Sequence, residues 1–167
     1  QECNDKWFTN LTNGLAPKYG HIGYGREKTY KGEGTPIFYN RDTVTLLEGD
    51  TKWLSETPEV AGSKLSTAGY LRVFTYGIFK RHSDGFIFMH INTHTDTGAT
   101  TSKQARMEEL RIIQEFSDPY KDLMPKLLPK NIAPAKNSGI FIKRTATPIG
   151  KPVNLLIIMA TPETPPD

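Results

Sequence analysis

The chain has a single cysteine, Cys3, in 167 residues. One thiol excludes an internal disulfide framework and a cysteine-rich zinc centre; the role expected for it is that of a small buried filler. Long apolar runs are also missing. The longest, Val153 to Ala160, is strand-sized and broken by Asn154, far short of the roughly 20 residues that span a bilayer. No initiator methionine, basic-then-apolar leader or cleavage pattern is visible, so we expect a processed protein or a fragment whose targeting signal is out of view. Neither sign of charge dominates. The formal charge of +3 and a pI near 8.9 permit phosphate-bearing partners without demanding them. Repeats and low-complexity tracts do not stand out. With 37% hydrophobic residues and a mean hydropathy of -0.49, the chain reads as one soluble globular domain, residues 1–167, long enough for a real core.

What is present is unevenly spread. Nine of the 12 prolines follow Ser117, which argues against a long helix there. Between Tyr120 and Lys151 seven basic residues face only Asp122, so residues 118–151 read as an irregular Pro/Lys-rich segment. Its charge suits either a polyanion-facing surface or a solvated loop. Asn10-Leu-Thr12 fits a glycosylation sequon, a triplet that also arises by chance.

Earlier in the chain, periodicity defines the elements. Asn4 or Asp5 caps a helix over 5–15, with Trp7, Phe8, Leu11 and Leu15 as its apolar stripe. Tyr19 to Arg26 alternates like a strand. Further strands are expected over 36–40, 43–47 and 51–54, with Arg41-Asp42 and Gly49-Asp50 as turn points. Residues 55–69 read as a surface excursion. Strands over 70–80 and 86–93 form a pair joined by a polar turn. A helix over 102–116 is expected to place Ala105, Leu110 and Ile113 inward and Glu108 and Glu109 outward. Short strands are expected over 140–143 and 153–158. Many hairpin-linked strands with few helices indicate an α+β layered fold with sheet packed on sheet.

The most informative stretch is Phe86-Ile-Phe-Met-His-Ile-Asn-Thr-His-Thr-Asp96. Its first half is aromatic and branched, as suits a packed strand. Asn92, His94 and Asp96 then alternate, so an extended backbone points them to one side. That is the pattern of an active-site rim, and equally of a solvated strand end. Glu2, Glu33 and His94 all stand at edges of expected strands. An exposed carboxylate there is a hard-oxygen ligand suited to Mg²⁺. A carboxylate beside a histidine fixes its tautomer and raises its basicity. Composition does not bring the three together.

Pro36-Ile-Phe-Tyr39, Trp53-Leu-Ser-Glu-Thr-Pro58, Asn92-Thr-His-Thr-Asp96 and Ala105-Arg106 occur in an order and spacing that resemble the endonuclease/exonuclease/phosphatase superfamily, the class that includes DNase I. The Trp-Leu-Ser-Glu-Thr-Pro run matches one subfamily in particular, and the resemblance covers about Gln1 to Phe116. It implies a four-layer α/β sandwich of two packed mixed β-sheets flanked by helices, here incomplete. It also implies hydrolysis of phosphate esters with a divalent metal, magnesium or manganese, the substrate being a nucleic acid or another phosphorylated compound. By position, Glu2 resembles the metal-ligating carboxylate and Glu33 the acid that orients the first catalytic histidine. His94 resembles that histidine, with Asn92 supporting it, and Arg72 resembles an arginine near the phosphate. Arg72 also suits a plain ion pair. Asp96 suits a loop brace, and Trp53 and Tyr39 suit the core better than a base-stacking surface.

The departures are equally clear. The family's Gly-Asp-Phe-Asn, which precedes Ala-Thr-Pro, is missing; Leu156 to Met159 stand in its place before Ala160-Thr-Pro162. The terminal Ser-Asp-His is missing too. The resemblance therefore implies a truncated or frame-shifted phosphodiesterase domain, inactive or nearly so as this chain. The rival reading is a non-catalytic relative that binds nucleic acid or a phosphorylated ligand through Arg72 and the basic segment. No membrane span and no protein partner is expected. Loss of flanking strands also predicts marginal stability.

Overall fold

The computed structural model describes residues 2–97, 102–123, 140–146 and 152–160, with 102, 121–123 and the last two stretches described by backbone alone. In chain order the elements are helix α1 (Asp5–Leu15), strands β1 (Tyr19–Ile22), β2 (Ile37–Asn40), β3 (Val44–Trp53), β4 (Val73–Arg81) and β5 (Ile87–His94), helix α2 (Ser102–Ser117), a 3₁₀ segment (Asp118–Leu123), and strands β6 (Ile140–Ala146) and β7 (Pro152–Ala160). A mixed sheet runs in the order β3-β4-β5-β7-β6, parallel only between β5 and β7. Antiparallel β1 and β2 form a second, small sheet. The fold is α+β, an incomplete four-layer sandwich.

Side-chain alternation along β4 and β5 sets the layers. Phe74 and Tyr76 meet Phe116 of α2, with ring centroids 5.0 and 4.7 Å apart. Met89, Ile91, Ala105, Ile112 and Ile113 belong to the same core. On the opposite face Phe79 meets Tyr39 of β2 at 5.2 Å. Beyond the small sheet, Phe8 of α1 stands edge-on to His21 at 5.1 Å. Where β1 and β2 stop covering the large sheet, a cavity of about 380 Å³ opens against Phe88, His90 and Asn92.

Several expectations are corrected. Gly49-Asp50 is no turn: β3 runs unbroken through it, with a bulge between Leu46 and Glu48. Gly49 pairs with Gly77, and a Cβ on either would come within 2.8 Å of the Ile22 Cδ1 methyl. These glycines let the two sheets approach, a role that mimics a turn signal in sequence. In α2 the inward and outward positions are partly exchanged. Glu109 is fully buried while Leu110 is 37% exposed, because the backbone beyond His94 needs a buried acceptor. The α1 cap is as expected, with Asn4 Oδ1 accepting the Trp7 amide at 3.0 Å. Its stripe is not: Trp7 is 64% exposed and α1 has no buried residue. The 55–69 excursion sends Leu65 and Ala68 into the core. Within 118–151 the described parts are the 3₁₀ segment and β6, which extends three residues past the expected strand; the rest lies outside the described residues.

Candidate active site

The site lies at the C-terminal end of β5, where the chain leaves the sheet. Glu2 and Cys3 run alongside Gly34, with amide-to-carbonyl distances of 2.8 Å in both directions between Cys3 and Gly34. That bridge brings Glu2 beside Glu33. Cys3 is a free, buried thiol in that seam, its Sγ donating to the Asn4 carbonyl at 3.6 Å. Trp53 holds the Arg26–Glu33 loop from below, its Nε1 donating to the Arg26 carbonyl at 2.6 Å. Its 2% exposure makes it core and no stacking surface. The loop's feet are joined by the Arg26 amide donating to the Glu33 carbonyl at 3.0 Å.

Around His94 these pieces converge. Glu2 Oε2 lies 2.6 Å from His94 Nδ1, and Glu33 Oε1 lies 3.8 Å from it. One ligating atom from each of the three falls within 4.8 Å of the others. Glu33 Oε1 also accepts from Arg26 Nη1 at 2.5 Å and Arg72 Nη1 at 3.1 Å. Arg72 Nη1 lies 3.2 Å from His94 Nδ1, and Nη2 donates to Thr97 Oγ1 at 3.3 Å.

Two carboxylates facing two guanidiniums leave the cluster without excess charge. Burial and the Glu2 carboxylate push the Glu33 carboxyl up, against the pull of Arg26 and Arg72. Burial and the Arg72 guanidinium push the His94 imidazole down, against the pull of Glu33, and so favour the uncharged ring. A proton on Nδ1 directed at Glu2 leaves Nε2 as the open nitrogen.

Three of the five expected site residues, Glu2, Glu33 and His94, thus meet directly, and Arg72 joins them. Arg72 is only 5% exposed; it donates to Glu33 and Thr97 beside the imidazole and presents no open fork to solvent. Asn92 is buried one alternation below His94, where its Nδ2 donates to the Pro36 carbonyl at 3.0 Å. That bond ties β5 to the segment leading from Glu33. Asp96 braces the loop: it is fully buried and accepts the Tyr70 amide at 3.1 Å. Arg26 escaped the sequence reading. Its signal was the symmetric setting, an arginine after Gly25 and a glutamate before Gly34.

Strand β7 supplies the neighbouring wall. Its parallel register sets Ile158 beside Asn92 and Ala160 beside His94. The gap noted in the motif, Leu156 to Met159, thus lies alongside His90 to Thr93 and ends one pair short of His94, in residue types that carry no carboxylate or amide.

No family model and no curated protein matches the sequence. Solved structures do. An endonuclease/exonuclease/phosphatase from Bacteroides vulgatus is 35% identical over 73% of this chain and 46% of its own, with a TM-score of 0.65. A family member from Bacteroides thetaiotaomicron is 36% identical over 70% and 42% of the two chains, at 0.63. A mannosyl-6-phosphatase from the same organism is 35% identical over 72% and 44%, at 0.64. Both fold and sequence place this chain in the endonuclease/exonuclease/phosphatase family, a family of phosphoesterase type. The chain spans less than half the length of these relatives.

Proposed function

We propose that the complete domain to which this chain corresponds is a magnesium-dependent hydrolase of phosphate esters, and that the chain carries half of its site. The observation that carries this reading is the convergence of Glu2, Glu33 and His94 within 4.8 Å at one sheet end. The donor set fits a hard cation that keeps most of its waters and takes one or two carboxylates. Glu2, with 44% of its side chain exposed, is the accessible ligand; Glu33 is already engaged by two arginines. Manganese suits the same oxygens. A cation held there supplies Lewis-acid stabilisation of charge on the phosphoryl oxygens.

The remaining roles belong to the protein's own groups. With Nδ1–H turned to Glu2, the open His94 Nε2 faces the reacting phosphate as a proton carrier: it takes up a proton and in that protonated form donates to a phosphoryl oxygen, a role worth about 10²–10⁴-fold in rate. Glu2 holds the imidazole by accepting from Nδ1–H, and Glu33 fixes Arg72 beside it. Arg26 and Arg72 offset the carboxylates, so a divalent cation and a phosphate dianion enter together without net charge. Asn92 positions the Glu33 segment. The likeness to a mannosyl-6-phosphatase favours a sugar phosphomonoester over the polynucleotide suggested by the DNase I resemblance. With Leu156 to Met159 alongside His90 to Thr93 where the family carries Gly-Asp-Phe-Asn, the chain alone is expected to be inactive or nearly so.

The test is hydrolysis by a domain whose 156–159 segment is restored to Gly-Asp-Phe-Asn and completed with the C-terminal part of a Bacteroides relative. Magnesium-dependent release of phosphate from mannose 6-phosphate, lost in His94→Ala, is expected. A folded chimera with no metal-dependent hydrolysis, or with full activity after His94→Ala, contradicts the proposal.

A further inference from the structure

Tyr30 is the one described non-glycine residue in the left-handed region, with φ +62°. That conformation costs an ordinary side chain about 1–2 kcal/mol, and asparagine or glycine is the usual tenant. The strain is imposed by a braced loop. The Gly25 amide donates to the Tyr30 carbonyl at 3.1 Å, the Tyr30 amide to the Glu27 carbonyl at 2.8 Å, and the Glu27 amide to the Lys31 carbonyl at 3.0 Å. The Gly32 amide donates to both Asp5 carboxylate oxygens at 3.0 Å. The feet of this loop are Arg26 and Glu33, both in the site.

A strained residue normally sits where its side chain is hidden in the packing or used by a ligand. Tyr30 is 54% exposed. It stands edge-on to Tyr24 at 5.0 Å and to Trp53 at 5.9 Å. Tyr24 is fixed in turn, its hydroxyl donating to Asp50 Oδ1 at 2.8 Å. Trp53 pairs with Val73, which borders the small hollow between Arg26, Glu33, Arg72 and His94. A half-exposed aromatic residue, braced by two ring contacts, thus sits on the same loop as two charged site residues.

We propose that Tyr30 is the stacking wall for the organic ring of a phosphomonoester whose phosphate occupies the Glu2–Glu33–His94 site. This deepens the preceding proposal and rests on it. The ligand is a ring with an apolar face, carried by a phosphate; a hexose and a nucleobase both offer such a face. Stacking on an aromatic side chain strengthens binding by roughly fivefold to a hundredfold, and it leaves inorganic phosphate untouched.

The test measures dissociation constants of the chain, with Mg²⁺ present, for inorganic phosphate, mannose 6-phosphate and adenosine 5′-monophosphate, alongside thermal melting. Tyr30→Asn removes the ring and tolerates the left-handed backbone; Tyr30→Phe keeps the ring. For the wild type, at least one ring-bearing ester is expected to bind about fivefold or more tighter than inorganic phosphate. Which of the two does so identifies the ring. Tyr30→Asn is expected to abolish that gain, leave phosphate affinity unchanged and hold Tm within about 3 °C, while Tyr30→Phe retains the gain. Phosphate binding without any ring gain, or a gain that survives Tyr30→Asn, overturns the role of Tyr30 and leaves the site reading standing. A large Tm loss in Tyr30→Asn makes the residue structural and overturns the inference. Failure of inorganic phosphate to bind at all sinks both proposals.

Discussion

Glu109 accepts the Asp96 backbone amide at 2.8 Å from the fully buried face of α2, two residues beyond His94. Asp96 in turn accepts the Tyr70 amide, two residues before Arg72, and its carbonyl accepts from Arg106 Nη1 at 3.0 Å. One buried carboxyl therefore anchors both backbone segments that deliver His94 and Arg72. Its second oxygen, Oε1, has no hydrogen-bond partner among the described residues.

That anchor predicts a pH signature. Burial, with the Asp96 charge adding, raises Glu109 from 4.5 to about 7. A carboxyl whose folded value lies above its unfolded one favours the folded state at low pH, and the advantage fades as pH rises from 4.5 through 7. Glu109→Gln keeps an acceptor for the Asp96 amide and removes the charge. Urea unfolding at pH 8 should show it on the order of 2–3 kcal/mol more stable than the wild type, with little difference at pH 4.5. His90, lowered by burial to about 4, has the opposite slope: its contribution is present above 6.5 and is lost as pH falls through 4. In the Glu109→Gln background, stability should decline steadily from pH 6.5 to 4. A wild-type-like profile in that variant contradicts the assignment.

Removing Arg72 should be costly because it is buried among charges. Arg72→Met strands Glu33 beside Glu2 with one guanidinium instead of two, and breaking a buried pair from one side costs about 3–5 kcal/mol. Glu33 is partly exposed, so the low end is expected. Adding Glu33→Gln should recover about half of the loss, since no carboxylate is then left uncompensated. A double variant no more stable than Arg72→Met contradicts the ion-pair account.

Gly25 is fixed by contact with the loop it supports. A Cβ there would lie 2.1 Å from the Lys31 carbonyl oxygen and 2.2 Å from its carbon, backbone atoms that cannot rotate away. Gly25→Ala should destabilise by about 1–3 kcal/mol and displace Arg26 and Glu33 together. Proton NMR should then show the His94 ring resonances shifted while His21 and His82 stay in place. Unmoved His94 resonances contradict the coupling of loop to site.

Much of this was legible in the sequence, and the rest failed for identifiable reasons. The α1 cap at Asn4, the β4–β5 pair and the alternation of Asn92 with His94 follow from local rules that neighbours do not override. Glu2 and Glu33 were found through ordered motifs, since no local pattern foretells that residues 31 positions apart will meet. Glu109 was misplaced because helical periodicity sees a charge and assigns it to solvent. Only the tertiary demand of the Asp96 amide explains its burial. Gly49 was misread because close sheet packing and a turn call for the same residue. Arg26 belongs to none of the ordered motifs, and its only signal, the Gly25-Arg26 and Glu33-Gly34 symmetry, gains meaning once the loop closes.

The most direct measurement is Mn²⁺-induced relaxation of the imidazole proton resonances of the chain's four histidines. If Glu2, Glu33 and His94 form one cation-holding cluster, His94 broadens at Mn²⁺ concentrations that leave His21, His82 and His90 sharp, and Glu2→Gln removes the effect. Uniform broadening of all four, or selective broadening that persists in Glu2→Gln, contradicts the account.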